Sequence, residues 1–372
     1  MSCLTYTFPH KTIFGSGTAQ TLIQEIPAGM RLLTVAGKTI ANTPSARSLL
    51  ENLAPFTAAN YTGVPAEPPL NCVDEIIGLG RSLNIGGVVA IGGGSVIDAA
   101  KAAAALIPLE GSVADYFSGN RAIPGKGLFF AALPSTAGTG AESTNNAVLT
   151  DPETKIKKSL RHPSMVADVA IVDPELTLTC PPALTAASGL DAFVQAFESF
   201  TSPRASALTR SLSAEAVRKI TVSLETACLH PDDLRSRSEM AEASMLSGLA
   251  FAQTGLGAVH GIAHPVGSLL GVPHGLACAI LMKPVIEFNI PICGALYAEL
   301  ADRACLGTDA HSFLRTAEKL ARKLNVPDNL RAWNFRRDHF EFIIRNCRSA
   351  SMKQNPREMS DADITAILEG LL

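Results

Sequence analysis

Three of the chain's eight histidines fall in one short stretch, GAVHGIAHPVGSLLGVPHG, as His260, His264 and His274. His260 and His264 stand four apart, so on a helix they share a face, the spacing that lets two imidazoles meet one metal ion. Pro265 then interrupts the helical pattern, and His274 follows Pro273 at an expected helix start. This is not the HExxH signature of a zinc protease, because Gly261 follows the first histidine and no glutamate lies between the pair. A metal site of this kind also wants a carboxylate. Asp191, in SGLDAFVQAFESF, is the best placed, at an otherwise small and apolar helix start, although a carboxylate there also suits the helix dipole on its own account. No second carboxylate is placed for a paired acid–base mechanism, and no GxSxG elbow offers a serine nucleophile.

A second chemistry is written in glycine. Gly92, Gly93, Gly94 and Ser95 follow the apolar run VVAI and precede the helix-like IDAAKAAAALI. Glycines at such a turn let a pyrophosphate approach the backbone with no Cβ in the way, and the helix start behind them offers free N–H groups and a favourable dipole. Any tight strand-to-helix turn also favours glycine, so the run alone does not decide. Asp98 and Lys101 stand three apart on the first turns of that helix. They form either a plain surface ion pair or, functionally, a carboxylate near a nicotinamide ribose with a lysine completing the polar wall. The run is neither the GxGxxG dinucleotide fingerprint nor a Walker loop. PSTAGTGAE is a second small-residue turn after a strand. Its Ser135, Thr136 and Thr139 hydroxyls suit phosphate or a nicotinamide amide, or simply a structural loop.

These residues need elements to hold them. RLLTVAG, IGGVVAIGGG and GLFFAALPSTAGTG each run an apolar strand into a glycine-rich turn, with helical patterns at 45–53 and 73–83 between them. Strand, turn and helix in repetition predict a parallel sheet with crossover helices, whose ligands bind at the carboxyl ends of the strands. After Pro181 and Pro182 the strand-like runs almost stop. Ala-, Leu-, Ser- and Glu-rich stretches at 206–227, 235–251 and 310–324 then predict helices. The expected architecture is a Rossmann-like α/β dinucleotide-binding domain over 1–182 and an all-α metal and substrate domain over 183–372, with a cleft between them.

Composition narrows the class. The chain has 372 residues, 47% of them hydrophobic and 17% charged, with a net charge of −3. That excludes disorder and lacks the basic footprint of a nucleic-acid binder. Eight scattered cysteines without a CxxC pair predict buried, reduced thiols. The N-terminus MSCLTYTFPHKTIFG shows no signal peptide, and no apolar stretch reads as a membrane span, so a cytoplasmic protein without a membrane partner is expected.

Taken together, the blocks FGSG near Phe14, GGGSVIDAAK, PSTAGTGAE, DPELT with PP, GLDAFVQAFES, GLGAVHGIAHPVG with PHG, and NPR at Asn355 resemble the iron-containing (group III) alcohol dehydrogenases over essentially the whole chain. The resemblance implies a dehydroquinate-synthase-like architecture and a divalent metal, Fe²⁺ or Zn²⁺, in an interdomain cleft. It implies hydride transfer between a nicotinamide cofactor and a small alcohol or aldehyde, and a homodimer or higher homo-oligomer. Carried onto this chain, the ligands are Asp191, His260 and His274, with a fourth at position 195. There the family usually has histidine and this chain has Gln195. Gln195 is then a weak or water-mediated ligand, or the site uses three ligands and water as in the related glycerol dehydrogenases, or the metal is lost as in the related maleylacetate reductases. A retained metal is favoured because the other three ligands survive. His264 is expected to relay the proton, or else to support the site from behind. Family members that prefer NAD tend to carry aspartate where this chain has Gly37, beside Lys38. That favours NADP(H), with NAD(H) possible. A metal-dependent lyase or cyclase on the same scaffold would want a basic cluster for a sugar phosphate, and residues 191–274 show none.

Overall fold

A computed structural model describes residues 4–372, so Cys3 and the first letters of the amino-terminal reading lie outside it. The chain divides into two compact units, Met1–Cys180 with Pro231–Met245 and Pro181–His230 with Leu246–Leu372. A single boundary after residue 182 does not anticipate the return of Pro231–Met245 to the first unit.

In chain order the first unit holds β1 (Lys11–Phe14), α1 (Leu22–Glu25), β2 (Leu32–Ala36), α2 (Pro44–Leu53), β3 (Thr57–Tyr61), α3 (Leu70–Leu83) and β4 (Gly87–Gly92). Then follow α4 (Gly94–Leu106), α5 (Val113–Ser118), β5 (Phe129–Pro134), β6 (Asn146–Thr150), β7 (Lys157–Arg161) and β8 (Val169–Val172). Six strands form one sheet in the order β1-β8-β5-β4-β2-β3, with every neighbouring pair parallel. The side chains alternate between two covered faces. Leu32, Val89, Ile91, Ala131 and Leu133 pack with Leu22, Leu49 and Leu53 on one side. Leu33, Val35, Val88, Ala90, Phe130 and Ala132 pack with Val73, Ile76, Ile97 and Ala100 on the other. Burial on both faces is why these strands read as unbroken apolar runs, and each such Leu or Val contributes about 1.5–3 kcal/mol relative to exposure. The strands β6 and β7 form a separate antiparallel pair.

Helices make up the second unit: α6 (Pro182–Thr201), α7 (Ala207–Leu229), the end of α8 (Leu234–Thr254), α9 (Ala258–Leu270), α10 (His274–Arg303), α11 (Ala310–Lys323), α12 (Phe340–Asn346) and α13 (Asp361–Glu369). Pro265 lies inside α9 rather than ending it; Gly271, at φ 72°, does that. Helix α10 is long and apolar enough to cross a membrane by length and composition alone. More than half of that stretch is buried against neighbours including α6, α9 and α11, and non-helical Cys293 breaks it, which makes it a core helix.

Candidate metal centre and nucleotide cradle

Helix α6 opens on Pro182, whose ring suits a first helical turn. Asp191, Gln195 and Glu198 follow one another at turn spacing along one face, all buried. Phe193 and Phe197 are buried in an aromatic cluster with Phe313 and Tyr297, so they are core residues. Two glycines bring the other helices to the polar face. A Cβ on Gly257, which precedes α9, would lie 2.7 Å from Glu198 Oε1; without one, Glu198 reaches the start of α9. A Cβ on Gly275 would lie 2.1 Å from the Ala187 carbonyl oxygen, so only glycine lets the first turn of α10 press against α6.

The result is a buried group of donor atoms. Glu198 accepts from the Val259 N–H at 2.7 Å and meets His260 Nδ1 at 2.6 Å. This fixes the ring and turns Nε2 toward Asp191 Oδ1, 3.1 Å away. His274 Nε2 lies 3.7 Å from the same oxygen, and Cys278 Sγ lies 3.9 Å from His274 Nε2. All four ligand atoms, from Asp191, His260, His274 and Cys278, fall within 4.8 Å of one another. A tetrahedral zinc centre with ordinary bond lengths has N···O edges of about 3.3 Å and N···S edges of about 3.6 Å. The set fits a divalent metal, and Glu198 supplies the carboxylate behind the histidine that such sites use to fix its tautomer. Desolvation alone would lower the His260 imidazole, yet Cys278, Glu198 and Asp191 together raise it well above its ordinary value. Burial pushes the Cys278 thiol up to about 11.

Two expectations change here. A carboxylate only accepts, so the Gln195 atom 2.9 Å from Asp191 Oδ2 is the amide nitrogen, and the Ser247 hydroxyl donates to the Gln195 carbonyl at 3.2 Å. The oxygen through which Gln195 was expected to reach a metal is turned to Ser247. Cys278, expected only to be a buried, reduced thiol, stands in the cluster. Its signal in the sequence was its place one turn after His274; Glu198, one turn beyond Gln195, was likewise passed over. His264 is half-buried, with its ring centre 5.3 Å from that of His274 and 6.2 Å from that of His260. It stands beside the four donors rather than among them.

In the first unit, Gly92 ends β4, Gly93 caps α4, and Gly94 and Ser95 form its first turn. The Ser135 N–H donates to the Gly92 carbonyl at 2.9 Å, which locks the loop after β5 to the loop after β4. A Cβ on Gly94 would come within 2.5 Å of Thr139 Oγ1, and one on Gly93 within 3.4 Å of the Thr136 side chain. Gly37, at the end of β2, packs so that a Cβ there would lie 3.9 Å from Gly92 Cα, while Lys38 is exposed. The expected cradle residues therefore converge at the carboxyl ends of β2, β4 and β5. Ser95 Oγ also accepts from the Glu67 N–H.

Asp98 and Lys101 do not form the surface ion pair that their spacing allowed: both are buried, Asp98 Oδ2 accepts from the Val148 N–H at 2.9 Å, and Lys101 is 1% exposed. Lys101 Nζ donates to the carbonyls of Ala141, Thr144 and Asn146 and to Thr144 Oγ1 at 2.6–2.9 Å. An ammonium has three protons, all used here, so Lys101 ties α4 to residues 141–146, beyond β5, rather than walling a cofactor site. Burial lowers Lys101 to about 8, against the pull of Asp98 and Glu142. It raises Asp98 to about 6 and Glu142 to about 7, with Lys101 opposing both.

The chain matches the family model described as iron-containing alcohol dehydrogenase over residues 9–174, and the model of that family's C-terminal region over 185–372. It is 32% identical to long-chain-alcohol dehydrogenase 1 of Geobacillus thermodenitrificans, covering 99% of this chain and 97% of that one. It is 31% identical to the 1-propanol dehydrogenase PduQ of Salmonella typhimurium, covering 98% and 100%. Among solved structures, sulfoacetaldehyde reductase from Bifidobacterium kashiwanohense in complex with NAD⁺ superposes with a TM-score of 0.93 at 29% identity, covering 100% of this chain and 99% of that one. Relatives named for NADPH dependence and for NAD dependence both match.

Proposed function

The chain belongs to the iron-containing alcohol dehydrogenase family, and from that premise we propose that it moves hydride between NADP(H) and a small alcohol or aldehyde at a divalent metal held by Asp191, His260 and His274. The observation that carries this is the buried donor cluster, with His260 pinned between Glu198 and Asp191. When bound, Fe²⁺ or Zn²⁺ supplies Lewis acidity toward the substrate oxygen, and the nicotinamide supplies or accepts the hydride. The chain's own residues do the rest. Gln195 orients Asp191 through Oδ2, leaving Oδ1 toward the two imidazoles. Glu198 holds the His260 ring with Nε2 facing inward. His264, half-buried beside His274, holds the proton that leaves or joins the substrate oxygen. The backbone from Gly92 to Ser95 receives the pyrophosphate, with the Ser135, Thr136 and Thr139 hydroxyls beside it and Asp98 toward the ribose. A glycine at 37 and the exposed Lys38 leave room and positive charge for a 2′-phosphate. A cytoplasmic setting suits the buried free thiols.

Turnover measured before and after exhaustive chelation, then during titration with Fe²⁺ and Zn²⁺, tests the metal mechanism. Activity should vanish with the metal and return with it. Full activity in demonstrably metal-free protein would overturn the proposal.

A further inference from the structure

We infer that Cys278 is a direct donor to this metal, taking the place left by the imidazole missing at position 195, and that it biases the centre toward zinc over iron(II). The inference rests on the metal reading above and goes beyond it in naming a fourth ligand and its consequence.

Position comes first. Cys278 lies one turn after His274 on α10, so the two side chains share a face. It is fully buried, with Sγ within 4.8 Å of the Asp191, His260 and His274 ligand atoms. The other buried cysteines, Cys72, Cys180, Cys228, Cys293 and Cys347, join no such group among the described residues. Gly275 makes the position possible, since any side chain there would hold the first turn of α10 away from α6.

Gln195 is then the wrong candidate for the fourth place. Its amide nitrogen is committed to Asp191 and its oxygen to Ser247. Within the donor set, Asp191 and a Cys278 thiolate supply two negative charges directly to the dication, with the buried Glu198 carboxylate behind His260. Coordination replaces the thiol proton with the metal, and the proton leaves to solvent or buffer.

The metal preference follows from ligand softness. Thiolate favours zinc, whereas carboxylate and imidazole alone discriminate less against iron(II). Among the four donors His274 is the most exposed, at 23%, so the substrate oxygen would join on its side.

The test uses the full chain, stripped by chelator and reloaded with Co²⁺, whose thiolate complexes give an intense near-ultraviolet charge-transfer band. The wild type should bind one Co²⁺ and show the band. Cys278→Ser and Cys278→Ala should still bind Co²⁺ but lose it. By chelator competition, Cys278→Ser should lower the ratio of Zn²⁺ to Fe²⁺ affinity at least tenfold. The wild-type spectrum needs no variant, so poor folding of either mutant leaves the proposal open to refutation. Stoichiometric Co²⁺ without the band, or a band that survives in Cys278→Ser, overturns the assignment of Cys278 alone. Failure of the wild type to bind Co²⁺, Zn²⁺ or Fe²⁺ overturns the metal mechanism and this inference with it.

Discussion

Replacing Lys101 with methionine keeps the length of the side chain and removes its charge and its protons. Three backbone carbonyls, of Ala141, Thr144 and Asn146, then lose the ammonium as donor in a buried site. The Thr144 hydroxyl, 3.1 Å from the Ala141 oxygen and 3.4 Å from that of Asn146, can turn its proton to one of them. Ala141 keeps the Thr144 N–H at 3.3 Å, so with the hydroxyl on Asn146 only the Thr144 carbonyl remains unsatisfied, at about 1–3 kcal/mol. Relief of the buried ammonium recovers part of that, so Lys101→Met should cost about 1–2 kcal/mol. For a unit of this size that lowers Tm by roughly 2–8 °C. The pH dependence carries a sign. Asp98 and Glu142 titrate at about 6 and about 7 in the folded protein, above their ordinary values, so each costs stability above its folded pKa and that cost fades as pH falls. Lys101 holds both down, and without it both rise further and cost more when ionised. The deficit of Lys101→Met should therefore be larger at pH 7 than at pH 5, read from circular-dichroism melts of both proteins at each pH. Equal Tm values at pH 7, or a deficit that grows toward acid, would refute this account of Lys101.

Two further substitutions probe the cradle. Gly93→Val keeps a backbone that valine accepts, at φ −72° and ψ 178°, but places a branched side chain 3.4 Å from Thr136, where the pyrophosphate must approach. NADPH affinity, measured by cofactor fluorescence, should fall at least tenfold, about 1.4 kcal/mol; an unchanged Kd in a folded variant would move the cofactor elsewhere. Gly37→Asp brings a Cβ to 3.1 Å from an Ile40 methyl, which must give slightly, and sets a carboxylate against a 2′-phosphate. The ratio of kcat/KM for NADPH over NADH should fall at least tenfold, and a ratio equal to that of the wild type would remove Gly37 from the ribose site.

The central strands were legible because burial on both faces leaves β2, β4 and β5 as largely apolar runs, each followed by a turn of small residues. The pair β6 and β7, NAVLT and KKSLR, carries no such run: its pattern mixes buried and exposed positions, and its partner is local. At the metal, Asp191, His260 and His274 stood out by residue type and spacing. Cys278 and Glu198 did not, because their roles depend on how closely three helices approach. That approach is set by Gly257 and Gly275, whose purpose appears only when a Cβ is placed on them. Lys101 shows the same limit. Its spacing from Asp98 is visible in the sequence, but the carbonyls that hold it come from residues 141–146, and nothing in an alanine-rich helix announces them.

Every candidate metal donor, together with Gln195, Glu198 and Ser247 behind them, belongs to the second unit, whereas Gly37, Gly92–Ser95 and Ser135–Thr139 belong to the first. On the proposed reading, the electrophile and the hydride carrier are held by residues of different compact units. A ligand stabilises the unit that binds it, by about 2.7 kcal/mol when present at a hundredfold its Kd. On that reading metal and nucleotide would act as separate thermal handles on one polypeptide. Loading with either should raise the resistance of its own half to unfolding, and a shift in one half caused by the other's ligand would measure, in free energy, how strongly the two communicate.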